Sequence, residues 1–533
     1  MTATTAPAMT DPPPRRRLRG WARRHIFTTF VVSAVALALV LRLGWGWYFA
    51  RRLAVALEDL RRRGEPMELA DFAESPLPPS ENAWTYYAEA VRVISTSGVN
   101  SPHQSTIRYS PYPPHGTEWE TLAGASEKAN AAAFPLARRA RQLQRLQFPQ
   151  TGSNPYRGEW NDARNLANML ADGAEYAHVR GDDAESVERL LDALHLAHSI
   201  RQDPGILSQL IGVGMSALAL DTAQQIIPTL KVDRPATGGA ASPAQARALI
   251  AVLLDETDAR QWFVRTLYRE RSVLLATLNR LAAETSAIRP AADATVVRRL
   301  GEFDALIQTA AQQNGGQARN MLRNLQRSEG IDSSSAVGFA GRVQPVYRYS
   351  RWFEGFVGSG PAGLTRALEQ FHRESAERRM TAVMLAARLY RHDHGRWPDD
   401  AAALVPGYLD AIPSDPFRED GGPLGYVVLR GALPDGGDRP LLFSEAGEPS
   451  ATPKDAIDIE PMSSWQMDRR RLPGTPRREI RQYRDVSLWQ PKARRFDEAR
   501  KLAAEAVDDD PDKPDAPGDD AKHDDRPDRP AEQ

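Results

Sequence analysis

The sequence predicts a mainly α chain: an N-terminal transmembrane helix, a large all-helical domain, a small α+β C-terminal domain and a disordered acidic tail. Three observations predict it. Ile26 to Leu41 is a run of sixteen residues whose only polar members are Thr28, Thr29 and Ser33. Through the middle of the chain, apolar residues recur at three- and four-residue spacing, the period of a helix with one buried face. Strand-like Leu424 to Leu429 follows the last long helical stretch, and from Asp508 the chain is rich in Asp, Pro and Lys with almost nothing apolar, a composition that cannot fold by itself.

The apolar run decides where the protein sits. Arg15, Arg16, Arg17, Arg19, Arg23 and Arg24 precede it, and Trp45, Trp47 and Tyr48 follow at the depth where amphipathic rings settle. At about 1.5 Å per residue the run covers roughly 24 Å, so Leu43 to Phe49 must complete a hydrocarbon core of about 30 Å. A cleaved signal peptide and a first core helix are the competing readings. Ala36-Leu37-Ala38 has cleavage spacing, but it lies inside the run. The expectation is an uncleaved, single-pass anchor in the inner (cytoplasmic) membrane, contacting lipid, with the short basic tail inside and the bulk exported. Arg51, Arg52, Arg61, Arg62 and Arg63 bring the positive-inside count close to a tie.

Composition narrows the chemistry. Zero cysteines among 533 residues remove disulfides, thiolate metal sites and cysteine nucleophiles together. The net charge of -1 hides a basic start, a basic stretch from Arg469 to Lys501 and an acidic end, so nucleic acid is not an expected partner.

Taken in order, the chain divides into a basic tail (1–25), the anchor (26–49), a stalk and linker (50–80), a helical domain (81–345), an α+β domain (346–460), a basic segment (461–507) and the acidic tail (508–533). Leu53, Leu57 and Leu60 give the stalk one apolar side until Gly64. Trp84, Tyr87, Val91 and Ile94 mark the first buried face, and a helical pattern runs from Glu118 to Phe148. Trp160, Ala163, Ala167, Leu170, Ala174 and Ala177 then face Val187, Leu190, Leu191, Leu194 and Ala197 across a turn at Gly181-Asp182-Asp183, a helical hairpin. The next helix, through Ile206, Leu210, Val213 and Leu218, has almost no polar face and reads as the centre of the domain, with Gly212, Gly214 and Ala217 allowing close backbone approach. Ser242, Pro243 and Gln245 form a capping box, followed by a long stretch to Leu281 and shorter helices around 303–310 and 321–325. Arg366 to His394 reads as one long helix.

Two patterns invite a chemical reading. Glu175 with His178, and Asp192 with His195, place an acid and an imidazole three residues apart on each arm of the hairpin, with His198 one turn on. Carboxylate-bridged di-metal bundles use that spacing, with further carboxylates that Glu256 and Asp258 are available to supply. The bland reading is packed, hydrogen-bonded histidines. Gly358-Ser-Gly360-Pro-Ala-Gly363 spells a dinucleotide-binding loop but lacks the preceding buried strand, and is read as the turn that starts the long helix. Tyr347 to Phe353 interleaves aromatic and basic residues and is read as a core edge with arginines reaching solvent.

The string Tyr390-Arg-His392-Asp393-His394-Gly395-Arg-Trp397-Pro398 ends the long helix, followed by Leu404-Val-Pro-Gly-Tyr408-Leu409, Asp415-Pro416-Phe417 and the strand-like segment. Over roughly 376–460 this resembles the globular head of the major pseudopilin of type II secretion systems. The resemblance implies a small antiparallel sheet, an extracytoplasmic location and a calcium loop where Glu448, Asp455 and Asp458 stand, hard oxygen ligands suited to that cation; the Asp-Gly and Gly-Gly elements of that loop are missing, and the alternative reading is a solvated acidic loop with no cofactor. No Gly-Phe-Thr-Leu-Leu-Glu motif accompanies Ile26, so assembly into a pilus is not implied. The functional expectation is a non-enzymatic scaffold that binds other envelope proteins, with a secretion-system accessory and a di-metal bundle enzyme as alternatives.

Overall fold

The computed structural model describes residues 15–97, 102, 116–149, 158–233, 238–284, 289–312, 317–318, 320–321, 324, 361–418, 420–429, 438–445 and 483–487. It is mainly helical. Glu448, Asp455, Asp458, the stretch 347–353, the acidic tail and the expected boundary at 345/346 lie outside the described residues.

The segments expected as anchor and stalk form one helix, α1 (Arg15–Arg62). Gly44 and Gly46 do not break it, although each costs about 1 kcal/mol against alanine. Near the end of the expected anchor a neighbour packs against it: a Cβ on Gly46 would stand 3.3 Å from Pro290 Cγ. Residues 30–45 are exposed throughout, whereas Leu60 at the other end is buried.

The helical hairpin forms as the spacing predicts, from α5 (Gly158–Val179) and α6 (Asp183–Ile200), with Gly181 at φ +80° in the turn and Asp182 capping Glu185. Before it stand α2 (Ala83–Ser97), α3 (Thr117–Ala129) and α4 (Ala133–Ala140). The single helical stretch expected from 118 to 148 is thus two helices, divided at Asn130. After the hairpin come α7 (Ile206–Ile226), α8 (Pro243–Leu254, with the capping box formed), α9 (Thr257–Glu284) and α10 (Arg289–Ala311), the last longer than the apolar pattern suggested.

Two helices among the described residues are long and apolar enough to cross a membrane, and burial separates them. The apolar window of α1 is 0% buried and that of α7 is 61% buried. Ser208 and Gln209 give the reason for α7. Both are fully buried, Ser208 donating to Asp203 at 2.5 Å and Gln209 donating to the Arg201 carbonyl at 2.6 Å, so they fasten α7 to the end of α6. Gly212 completes the joint, because a Cβ there would meet Arg201 Cγ at 2.3 Å and the Ala197 carbonyl at 2.8 Å. Gly214, expected to serve likewise, faces open space. Gly212→Ala is therefore expected to cost about 1–3 kcal/mol by overpacking, and Gly214→Ala to be neutral or stabilising by up to about 1 kcal/mol; urea midpoints of the two variants check the contrast.

The long helix α11 (Pro361–His394) is a strut through two apolar clusters. Leu364, Leu368 and Phe371 join Leu60, Phe263, Leu267, Leu300 and Phe303 in the smaller cluster beside α1. Ala376 through Tyr390 join the larger one, with Tyr87, Leu170, Leu194 and Leu220. Beyond Gly395 (φ +71°) the chain turns into an antiparallel sheet of β1 (Gly425–Leu429), β2 (Arg439–Glu445) and β3 (Tyr483–Ser487), ordered β1-β2-β3. Asp415 is buried at its foot, accepting from the Phe417 amide at 2.9 Å and the Ser444 hydroxyl at 2.6 Å.

Candidate functional site

The polar residues of the hairpin are held by separate neighbours. His178 Nδ1 lies 2.5 Å from Asp183 and its Nε2 lies 2.9 Å from the Thr229 hydroxyl, while the other Asp183 oxygen accepts from the Lys231 amide at 3.0 Å. His178 therefore pins the hairpin turn to the end of α7. Glu175, one turn back on α5, is buried.

Asp192 belongs to an ionic seam between α4 and α6. Arg138 near the end of α4 and Arg141, which caps it, sit one turn apart, and Glu185, Glu188 and Asp192 repeat at three and four residues on α6, so the two stripes meet. Arg138 Nε stands 3.1 Å and Arg141 Nε 3.2 Å from fully buried Asp192; Arg138 also reaches Glu185 at 3.1 Å, and Arg141 pairs with Glu188. Burial pushes the Asp192 carboxyl up to about 6, against the pull of the two guanidiniums. A groove of about 340 Å³ borders the seam at Phe134, Pro135, Arg138 and Glu185.

His195 faces the other way. Its Nδ1 is 2.8 Å from the hydroxyl of fully buried Tyr87 and 3.4 Å from that of Ser199, and the ring also bonds the Leu143 backbone. Burial pushes the imidazole down to about 4, so it is neutral at pH 7. The same cause holds His198 at about 3, its ring 4.4 Å from Trp262 and its Nε2 4.0 Å from Asp258. Glu256 is taken by Arg379 at 2.7 Å and the Ser375 hydroxyl at 2.7 Å; opposing the upward push of burial, Arg379 keeps that carboxyl below its usual range. Among the described residues, no three His, Asp or Glu side chains form a group that could hold a metal ion.

Two further clusters join the parts of the molecule. Arg201, at the end of α6, donates from Nη1 to both carboxylate oxygens of Glu374 of α11, at 2.8 and 3.1 Å, with both side chains nearly fully buried. Arg378, one turn on, gives its guanidinium to the Val252, Leu253 and Asp255 carbonyls, capping α8 as a cation caps the negative end of a helix. Nearer the anchor, fully buried Arg271 of α9 reaches Glu65 at 2.5 Å, Asp304 of α10 at 3.3 Å and the Pro66 carbonyl at 3.1 Å. Arg63 reaches the same Asp304 and Glu65 from α1. This cluster fixes the direction in which α1 leaves the bundle.

Outside these joints, α7 presents Leu207, Leu210 and Gly214 on one exposed face, three and four residues apart. Sequence reasoning missed Tyr87, Arg138, Arg141, Arg201 and Arg271 as members of polar clusters. The matched spacing of Arg138-Arg141 and Glu185-Glu188-Asp192 was the available signal for the seam. Compared with family models, curated proteins and solved structures, the chain matches none.

Proposed function

We propose that the protein is a single-pass membrane scaffold: α1 anchors it in the inner membrane, and the helical bundle, on the extracytoplasmic side, binds other envelope proteins without catalysing a reaction. The observation that carries this reading is the form of α1. Residues 30–41 expose a surface that is apolar but for Ser33, and the far end of the helix is clamped by Arg63, Glu65, Arg271 and Asp304 into a packed bundle. Such a helix is costly in water and favourable in lipid. The hairpin residues that suggested di-metal chemistry have hydrogen-bonding or ionic partners of their own, which favours a structural role for them. The pseudopilin-like features of 376–460 support the extracytoplasmic side and favour, as a second reading, an accessory of a secretion machine.

A photo-crosslinking residue at Leu210, on the exposed face of α7, tests this in intact cells. Discrete adducts with envelope proteins are expected from Leu210 and none from Arg180, at the exposed end of α5. Equal labelling from both positions, or stoichiometric iron or manganese in the purified protein, would overturn the scaffold reading. Pseudopilins among the adducts would select the secretion accessory.

A further inference from the structure

Where α1 leaves the expected membrane span it forms one wall of a groove of about 530 Å³, with Tyr48, Arg51, Arg52 and Val55 at one end, Asp59 paired with Arg62 at the other, and Val297 of α10 on the opposite side. Gly46 against Pro290 at one end, and Arg63 with Asp304 at the other, show that α10 runs parallel to α1 and closes the groove along its length. If the span is 26–49, about 36 Å at 1.5 Å per residue, it crosses a core of about 30 Å with modest tilt. Arg51 and Arg52 then lie within the first turn beyond the hydrocarbon, at the level of the headgroups.

The charge pattern along this helix is uneven. Away from the membrane, every arginine has a carboxylate: Arg61 has Glu58, Arg62 has Asp59, and Arg63 has Asp59, Glu65 and Asp304. Arg51 and Arg52 have none among the described residues. Arg51 lies over the Trp47 ring at 5.7 Å, and Arg52 lies over the Tyr48 ring at 5.6 Å while donating to its hydroxyl at 3.2 Å. Stacking orients a guanidinium yet leaves most of its donors open. Two oriented, uncompensated guanidiniums at headgroup depth, with Val55 and Val297 beside them, match a phosphodiester attached to an apolar body.

We propose that this groove binds the headgroup of an anionic phospholipid, with Arg51 and Arg52 holding its phosphate. A zwitterionic lipid brings its own ammonium and compensates less of the arginine charge. Each arginine near an anionic lipid surface contributes about 1 kcal/mol, so losing both should weaken binding by at least about tenfold.

The test is native mass spectrometry of the detergent-solubilised full chain, titrated separately with phosphatidylglycerol, phosphatidylcholine and inorganic phosphate. Phosphatidylglycerol should bind at least about tenfold tighter than phosphatidylcholine. Inorganic phosphate at equal concentration should not displace it, and the double variant Arg51→Gln/Arg52→Gln should lose the preference. Arg180→Gln/Arg247→Gln, which removes the same charge from exposed positions in the bundle, should keep it. Equal binding of the two lipids, displacement by phosphate, or an unchanged preference in the Arg51/Arg52 variant would overturn the proposal. The inference rests on α1 lying in the membrane, and the two fail separately: a chain that resists extraction from membranes without preferring the anionic lipid loses the groove and keeps the anchor.

Discussion

Replacing Glu374 with glutamine is expected to destabilise the bundle by about 3–5 kcal/mol, because the charge of Arg201 would be left buried without its partner. Both side chains are almost fully buried, and Arg378 stands 3.8 Å from the same carboxylate, so one acid compensates two cations where water cannot. The Phe371 ring, 5.3 Å from the Arg201 guanidinium, offers only a minor substitute. Removing both members of the pair, as Arg201→Met with Glu374→Leu, should cost less than Glu374→Gln alone, since no unpaired ion remains. Urea unfolding of the full chain in detergent reads both; a loss below about 1 kcal/mol for Glu374→Gln would mean that water reaches the pair.

Acid is expected to act through His195. Its folded value of about 4 lies below the 6.5 of a free imidazole, so between those values the unfolded chain binds the proton that the folded chain refuses. The stability this histidine provides is complete above pH 6.5 and is lost as pH falls toward 4, to the extent of about 2–3 kcal/mol. Asp192 works in the opposite direction. Its folded value of about 6 lies above the ordinary 3.8, so its contribution is complete below 3.8 and is lost as pH rises through about 6. The clean readout is a difference in which Asp192 is common to both proteins. His195→Gln should be less stable than the unmodified chain at pH 7.5, through loss of the Tyr87 contact, and the gap should close as pH falls to 4. A gap independent of pH would show that the imidazole is not held neutral.

These two clusters show what was legible in the sequence and what was not. The apolar side of α5, from Ala163 to Ala177, and that of α6, from Val187 to Ala197, are local repeats, and they are buried where the period places them. The same holds for Ser242-Pro243-Gln245, a cap made within four residues. Polar partners are another matter. Asp192 and His195 look like a pair three residues apart, yet Asp192 takes an arginine 54 positions earlier and His195 a tyrosine 108 positions earlier. Glu374 meets Arg201 across 173 residues. Residue spacing says which side chains share a helix face and nothing about what that face meets. Gly212 and Gly214 make the point within one turn, since both permit close approach and only Gly212 has a neighbouring backbone to approach.

The role of α11 was hidden for the same reason. As a string, Arg366 to His394 is a long helix leading into a turn and a strand-like segment. In the structure it lies against α7 and α8 and carries Glu374, Arg378 and Arg379, which fasten α6, α8 and the foot of the sheet to one rod. A pull on any one of these elements is carried by the others.

Alkaline carbonate extraction of membranes carrying the intact chain tests the central claim most directly. With α1 lodged across the bilayer and continuous with the bundle, the whole protein should remain in the membrane pellet while peripheral proteins leave. Recovery of the full-length chain in the carbonate supernatant would contradict it, because among the described residues no surface covers residues 30–45.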